Sequence, residues 1–144
     1  MAAITKKTKH EAKKAKVHAR TKLAKVYDRT KLAKVYVSAS FNNTLVTVTD
    51  LNGAVLAWGS SGNSGFKGTR KSTPYAATTA VDKVVKRVKD NFGVEDVEIY
   101  IKGPGPGRDA ALRAVRATGV KISLIADVTP VPHNGPRPKK KRRV

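Results

Sequence analysis

The uneven distribution of charge along the chain is the feature that most limits how it can fold. Residues 1–34 contain 12 lysines and arginines against 2 acidic residues, and residues 130–144 contain 6 basic residues and no acidic one. Blocks of like charge usually stay disordered until they meet a partner of opposite charge. We therefore predict one folded domain in residues 35–129, preceded by a basic tail in 1–34 and followed by a basic, proline-rich arm in 130–144.

The net charge of the chain, +20, narrows the class of partner. Such an excess favours work beside a polyanion. Nucleic acid is the commonest polyanion, with membrane surfaces and acidic proteins as alternatives. No apolar run approaches the roughly 20 residues of a membrane span, and no apolar signal core follows the basic N-terminus. The chain has no cysteine, which excludes disulfides and thiolate metal sites. We predict a cytoplasmic protein without a membrane partner.

The octapeptide RTKLAKVY occurs twice, at residues 20–27 and 29–36. A repeat of nine residues is about half a turn out of phase in a helix of 3.6 residues per turn, so one continuous amphipathic helix would gain nothing from it. The second copy runs into KVYVSASF, residues 34–41, whose β-branched and aromatic residues predict a strand. We interpret the duplication as a tolerated extension of a tail rather than a repeated working unit.

The pattern of residues 34–128 predicts an α/β domain with the order β-β-β-α-β-α-β. Alternation predicts strands over 34–41, 43–50, 54–59, 94–102 and 120–128, and spacings of three and four predict helices over 73–92 and 108–119. Asn52-Gly53 is a hairpin signal, and either Ser72 or Thr73, followed by Pro74, is the cap of a helix start. The first three strands should form an antiparallel meander. The later strand-helix-strand units favour parallel pairing with right-handed crossovers.

A glycine- and serine-rich loop at residues 60–72 carries three cations, Lys67, Arg70 and Lys71. It is either an ordinary solvated loop or a backbone that lies against phosphates while its cations neutralise them. The overall charge favours nucleic-acid contact. Two asparagines, Asn42 and Asn43, either form the bend between the first two strands or read base edges and sugar hydroxyls.

The sequence GPGPGR, residues 103–108, lies between a strand and a helix, where phosphate-binding loops occur. Pro104 and Pro106 have no N–H to offer, and no Gly-Lys-Ser/Thr follows. The segment is therefore either a stiff, tight turn or a rigid loop that lets an RNA backbone approach its glycines, with Arg108 on a phosphate. Both interpretations can hold together.

Residues suited to catalysis are scattered along the chain. The three histidines lie in the predicted tails, and the predicted first strand has no carboxylate of the kind that a two-metal nuclease needs. No Gly-x-Ser-x-Gly is present. We predict no enzymatic activity, no cofactor and no metal site. The rival hypotheses are a histone-like DNA-coating protein, which shares the charge, and a structure-specific nuclease.

Four segments together resemble a known family: SASFNNTLVTVTD, NSGFKGTRKSTPYAA, IKGPGPGRDAALRA and DVTPVPHNGPRPKKKRRV. From about residue 35 to 144 the chain resembles the family of ribosomal protein eleven of the bacterial small subunit. The resemblance implies a ribonuclease-H-like, three-layer α/β fold with a five-stranded mixed sheet and no nuclease activity. It also implies a structural constituent of the platform, which bridges small-subunit rRNA helices and helps form the cleft for the mRNA Shine-Dalgarno duplex.

The resemblance implies protein neighbours as well, namely the seventh and eighteenth small-subunit proteins and initiation factor three. Pro136 departs from the family pattern, which has cysteine there, but the charge of the arm is intact. Carried over by position, the residues implied in rRNA binding are Asn42, Asn43, Lys67, Gly68, Arg70, Lys71, Ser72, Gly105, Gly107, Arg108, His133, Asn134, Arg137, Lys139, Lys140, Lys141, Arg142 and Arg143.

Overall fold

The computed structural model describes residues 31–137 and 139–140. Its elements are β1 (Leu32–Ala39), β2 (Thr44–Thr49), β3 (Val55–Ser60), a 3₁₀ helix (Gly68–Ser72), α1 (Pro74–Phe92), β4 (Asp96–Lys102), α2 (Gly107–Ala117) and β5 (Lys121–Asp127). The predicted order of strands and α-helices is therefore confirmed, and the 3₁₀ helix is an addition. The first copy of the octapeptide lies outside the described residues.

The five strands form one mixed sheet in the order β3-β2-β1-β4-β5. β1 pairs antiparallel with β2, and β2 with β3, whereas the pairs β1-β4 and β4-β5 are parallel. Short turns allow only antiparallel neighbours, while the two helical crossovers return the chain for parallel pairing. Both predictions of strand direction are confirmed.

The first strand begins at Leu32, two residues before its predicted start. Leu32 and Ala33 pair with Asp96 and Val97 of β4, and Ala33 is fully buried. The second copy of the octapeptide thus enters the sheet because β4 offers its N-terminal end as a partner at this register.

The hairpin between β2 and β3 closes around Leu51, Asn52 and Gly53. The amide of Asp50 donates to the carbonyl of Ala54 at 3.0 Å, and the carboxylate of Asp50 accepts from the amide of Ala54 at 2.8 Å. Within this loop only Gly53 has a positive φ, +90°, so this is a three-residue loop with glycine in the left-handed position. The predicted hairpin is confirmed.

Helix α1 begins and ends where the sequence predicts. Thr73 is the N-cap, and its Oγ1 accepts from the amide of Ala76 at 3.3 Å, with Pro74 at the first helical position. Gly93 ends the helix in the left-handed conformation, with φ +66°. These are the residues that satisfy unpaired backbone groups at helix termini at little conformational cost.

One apolar core lies between the sheet and its two helices. α1 packs against β2 and β3, α2 packs against β1, and the two helices pack against each other. Each fully buried valine contributes roughly 1.5–3 kcal/mol. The core cluster includes Val35, Val37, Val46, Val48, Val81, Val84, Val85, Val88, Val97, Ile99, Ile101, Ala111, Ala114 and Val115. The α/β class with a five-stranded mixed sheet is thus confirmed.

The alternate residues of β1, β2 and β3 lie on the opposite face of the sheet. There Tyr36, Leu45 and Trp58 are exposed, so the part of the chain that the structure describes leaves this face open to solvent. In that same part no helix combines the length and the hydropathy needed to cross a lipid bilayer.

Candidate nucleic-acid interface

The turn between β1 and β2 contains the two asparagines of the predicted site. Ser40 closes it, because its amide and its hydroxyl both donate to the carbonyl of Asn43, at 3.0 and 2.9 Å. The side-chain oxygen of Asn43 accepts from the amide of Gly62 at 3.3 Å, which ties this turn to the loop after β3. Asn43 therefore has a structural role, while Asn42 is exposed and keeps its amide available to a partner.

The basic loop after β3 is more regular than the sequence predicts. Residues 68–72 form the 3₁₀ helix, in which the hydroxyl of Ser72 donates to the carbonyl of Thr69 at 2.6 Å. Gly68 starts it with φ +58°. Phe66 of this loop packs edge-on against Tyr75 of α1, with ring centroids 5.9 Å apart. The loop is therefore held to the β1–β2 turn through Gly62 and to α1 through Phe66.

The cations of this loop differ in exposure. Lys67 and Arg70 are exposed, whereas Lys71 and Ser72 are half-buried. The aliphatic part of Lys71 lies over Gly62, where a Cβ would stand 3.3 Å from Lys71 Cδ. Lys67 and Arg70 are thus the members best placed to neutralise phosphates.

The glycines of GPGPG pack tightly beneath the ends of β1 and β2. A Cβ on Gly103 would collide with the carbonyl oxygen of Ala39, one on Gly105 with that of Ser40, and one on Gly107 with Thr44 Oγ1. The amide of Gly105 also donates to the carbonyl of Ala39 at 2.9 Å.

This packing supports the interpretation of the segment as a tight structural turn. Gly105 and Gly107, both assigned to rRNA contact by the resemblance, are buried. Pro104 and Pro106, which precede these two glycines, are exposed. The two prolines therefore form most of the exposed surface of this loop.

Arg108, predicted to bind a phosphate, makes a network of hydrogen bonds within the domain. Its guanidinium donates to Asp127 Oδ2 at 2.6 Å, to the carbonyl of Gly103 at 2.7 Å and to Thr129 Oγ1 at 3.2 Å. The other carboxylate oxygen of Asp127 accepts from the amide and hydroxyl of Thr129, at 3.0 and 2.6 Å. We call Arg108, Asp127 and Thr129 the arm clamp.

The arm clamp changes the electrostatics of its carboxylate. The hydrogen bond from Arg108, and then those from Thr129, hold the pKa of Asp127 well below its usual value of 3.8. Asp127 therefore stays ionised and offsets most of the charge of Arg108. Sequence reasoning missed Asp127 and Thr129. The sequence could have indicated both residues by their position at the end of a predicted strand. Because β4 and β5 are parallel, their C-terminal ends lie at the same end of the sheet, which brings the residues after β5 close to those after β4.

The C-terminal arm leaves the sheet directly from this clamp. The amide of Val128 donates to the carbonyl of Ile101 at 2.8 Å, the last backbone bond of this segment to β4. Asn134 has φ +54°, a conformation that asparagine tolerates. The exposed predicted residues of the arm are His133, Asn134, Arg137, Lys139 and Lys140. Lys141, Arg142 and Arg143 lie outside the described residues.

The predicted segments therefore meet at one end of the sheet. The β1–β2 turn, the loop after β3, the GPGPG segment and the start of the arm all follow or precede strand ends on the same edge. We call this surface the loop edge. Its cations sit on backbone that is held by hydrogen bonds, so it offers a shaped, basic surface for a polyanion. Among the described residues, no cluster of histidines and carboxylates is arranged to hold a metal ion.

Comparisons with known proteins show the family of the chain. The family model described as Ribosomal protein S11 matches residues 33–143. A small ribosomal subunit protein uS11 of Alteromonas mediterranea is 50% identical over 130 residues, which cover 90% of this chain and 99% of the relative. The uS11 of Buchnera aphidicola subsp. Cinara cedri is 57% identical over 108 residues, 75% of this chain and 82% of the relative. A uS11c of Cycas taitungensis is 59% identical with the same coverage.

Proposed function

Because this chain belongs to the ribosomal protein S11 family, we propose that it is a structural constituent of the small ribosomal subunit and binds the rRNA of that subunit. The observation that carries the proposal is the extent of the family match, which runs from the second residue of β1 into the basic arm. The match therefore includes every segment of the loop edge.

The mechanism we propose divides the work between shape and charge. The loop edge gives a rigid surface on which Asn42, Lys67 and Arg70 meet the RNA. The basic residues in 1–34 and 130–144 neutralise the phosphates of crowded helices, and each one that releases a counterion steepens the salt dependence of binding. We keep the division into a tail, a domain and an arm as part of this proposal, with the start of the domain moved from residue 35 to Leu32, where β1 begins.

The finer assignments are also proposals. Family membership favours a place on the platform, where the protein bridges rRNA helices and helps form the cleft for the mRNA Shine-Dalgarno duplex. The seventh and eighteenth small-subunit proteins and initiation factor three are the proposed neighbours, in a cytoplasmic ribosome. The role is structural rather than catalytic, and the rRNA contacts of the predicted arm residues from His133 to Arg143 belong to the same proposal.

Fractionation of a native lysate on a sucrose gradient at moderate magnesium tests the proposal. The protein should sediment with the small subunit and stay there after a moderate salt wash, because many cations and a shaped surface hold it. Sedimentation with DNA would instead favour the histone-like hypothesis. Recovery only at the top of the gradient would contradict the proposed function.

A further inference from the structure

The open face of the sheet carries a row of aromatic side chains in register. Trp58 of β3 lies opposite Thr47 of β2, Thr47 lies opposite Tyr36 of β1, and Tyr36 lies opposite Tyr100 of β4. The side chain of Trp58 is 59% exposed and that of Tyr36 is 41% exposed. We call these four residues the aromatic row. The function proposed above uses none of them.

The spacing along the aromatic row suits a flat ring. Tyr36 and Tyr100 already stack, with centroids 5.2 Å apart and planes 18° from parallel. Trp58 and Tyr36 are two strands apart, which separates their backbones by roughly 9.6 Å, and only the small Thr47 lies between them. A ring stacked between two others sits about 4.5–7 Å from each centroid. The gap over Thr47 therefore accepts one base.

Cations lie beside the row at two places. One is the edge of β3, where they belong to α1 on the other face of the sheet, and the other is one end of the open face. Trp58 also lines a groove of 380 Å³ at the edge of β3, together with Ser64, Lys83 and Arg87. The ammonium of Lys83 donates to the carbonyl of Ser64 at 3.2 Å, which holds this cation at the groove. Lys102 lies on the open face, at the end nearest the loop edge.

The carboxylates of the open face lie toward its other end. Glu98 accepts a hydrogen bond from the hydroxyl of Tyr100 at 3.0 Å, and Asp96 lies 3.9 Å from the ammonium of Lys121. Glu98 therefore borders the aromatic row at Tyr100, and neither acidic group lines the groove that Trp58 shares with Lys83 and Arg87.

We propose that the aromatic row stacks unpaired bases of single-stranded RNA, with Lys83 and Arg87 on the phosphates of the same strand. This inference rests on the proposed function and deepens it, because it adds a second RNA surface that reads unstacked bases rather than helices. Exposed sheet aromatics flanked by cations are the arrangement by which proteins hold single strands. An apolar protein partner is the alternative occupant, since Leu45 is exposed on the same face. The cations of the groove beside Trp58 favour RNA over such a partner.

The chain has a single tryptophan, so its fluorescence reports on the row directly. We would titrate the full-length protein with unstructured decamers of uridine and of adenosine at about 0.2 M salt, where purely electrostatic binding is weakened. Stacking tolerates any base, so both decamers should quench Trp58. Tyr36→Leu should weaken binding measured by quenching about 5- to 160-fold, the range that corresponds to losing one stacked base. Tyr36→Phe, which keeps the ring, should retain it.

A matched pair of charge variants tests the groove. Lys83→Gln should weaken the quenching. Lys86→Gln should not, because Lys86 does not line the groove and is paired with Asp82 on the exposed surface of α1. Equal effects of the two variants would show general electrostatics and would overturn the assignment of the groove. Absence of quenching in the wild-type protein by either decamer would overturn the row itself.

Assembled small subunits separate this inference from the proposed function. With Trp58→Leu, the protein should still sediment with the subunit, because the loop edge and tails are intact, while one or more unpaired rRNA bases become more reactive to base-modifying reagents. Normal sedimentation with unchanged base reactivity would contradict the aromatic row alone. Failure of the wild-type protein to sediment with the subunit would contradict the proposed function instead. Crosslinking of this face to a protein neighbour rather than to rRNA would also overturn the inference.

Discussion

Gly105→Ala should be among the most damaging single-methyl changes in this domain. The added Cβ would meet the carbonyl oxygen and carbon of Ser40 and the carbonyl carbon of Ala39, all of them backbone atoms. A flexible side chain can swing away from a new methyl, but the end of β1 cannot move without disturbing its pairing with β4. Overpacking of this kind costs typically 1–3 kcal/mol, and we expect the upper end, about 3 kcal/mol.

A glycine of the loop after β3 gives the matched control. Gly68 has φ +58° with nothing within 4 Å of its Cβ position, so Gly68→Ala carries only the conformational cost of the left-handed region, about 1–2 kcal/mol. Gly105 has no positive φ, so its cost is purely steric. The two variants therefore separate crowding from backbone strain.

Urea and thermal unfolding of the full-length protein, followed by circular dichroism, measure both variants. At about 4–8 °C per kcal/mol for a domain of this size, Gly105→Ala should lower Tm by roughly 12–24 °C and Gly68→Ala by clearly less. A decrease no larger than that of Gly68→Ala would refute the argument that GPGPG serves as a tightly packed turn. In that case the loop could yield to an approaching backbone, as the alternative interpretation supposes.

Three further outcomes follow from the site and the cap. Asp127→Asn should remove the sensitivity of the arm clamp to low pH. The lowered pKa of Asp127 stabilises the fold above about pH 4, its unfolded value, and this stabilisation is lost as pH falls through the folded pKa. The unfolding curves of wild type and variant should therefore converge in acid. Lys67→Gln with Arg70→Gln should reduce the slope of log K against log salt by about 0.7–0.9 for each phosphate that is no longer neutralised, measured by filter binding to small-subunit rRNA; an unchanged slope would remove both from the interface. Thr73→Ala should cost about 1 kcal/mol in urea unfolding because α1 loses its cap, and no change would show that Pro74 alone sets the start of the helix.

The elements could be predicted from the sequence because their signals are local. Thr73-Pro74, a stripe of valines and Gly93 indicate α1, and the structure uses each of them. The early start of β1 could not be predicted, because the same octapeptide occurs twice and only contact with β4 distinguishes the second copy. The sequence of β5 is apolar, so it did not indicate that β5 lies at the edge of the sheet, where Leu124 and Ile125 are exposed.

The candidate site divides in the same way. Three cations were predicted in the loop at residues 60–72. Lys67 and Arg70 are exposed, whereas the stem of Lys71 packs over Gly62. Arg108 was predicted to bind phosphate, but its partner Asp127 is 19 residues away, and no local pattern encodes that distance. The aromatic row depends on register across four strands, which alternation within each strand does not specify.

The arm clamp has a consequence for how the C-terminal arm finds its ligand. The direction in which the arm leaves the domain is set by its point of attachment. That point is Thr129, which is hydrogen-bonded to the carboxylate of Asp127 in β5. The 15 residues beyond it reach at most about 50 Å. Six cations are therefore confined near whatever RNA the loop edge holds, at an effective concentration in the millimolar range. Binding of the domain makes binding of the arm intramolecular, and weak contacts along the arm add up to retention of the whole protein.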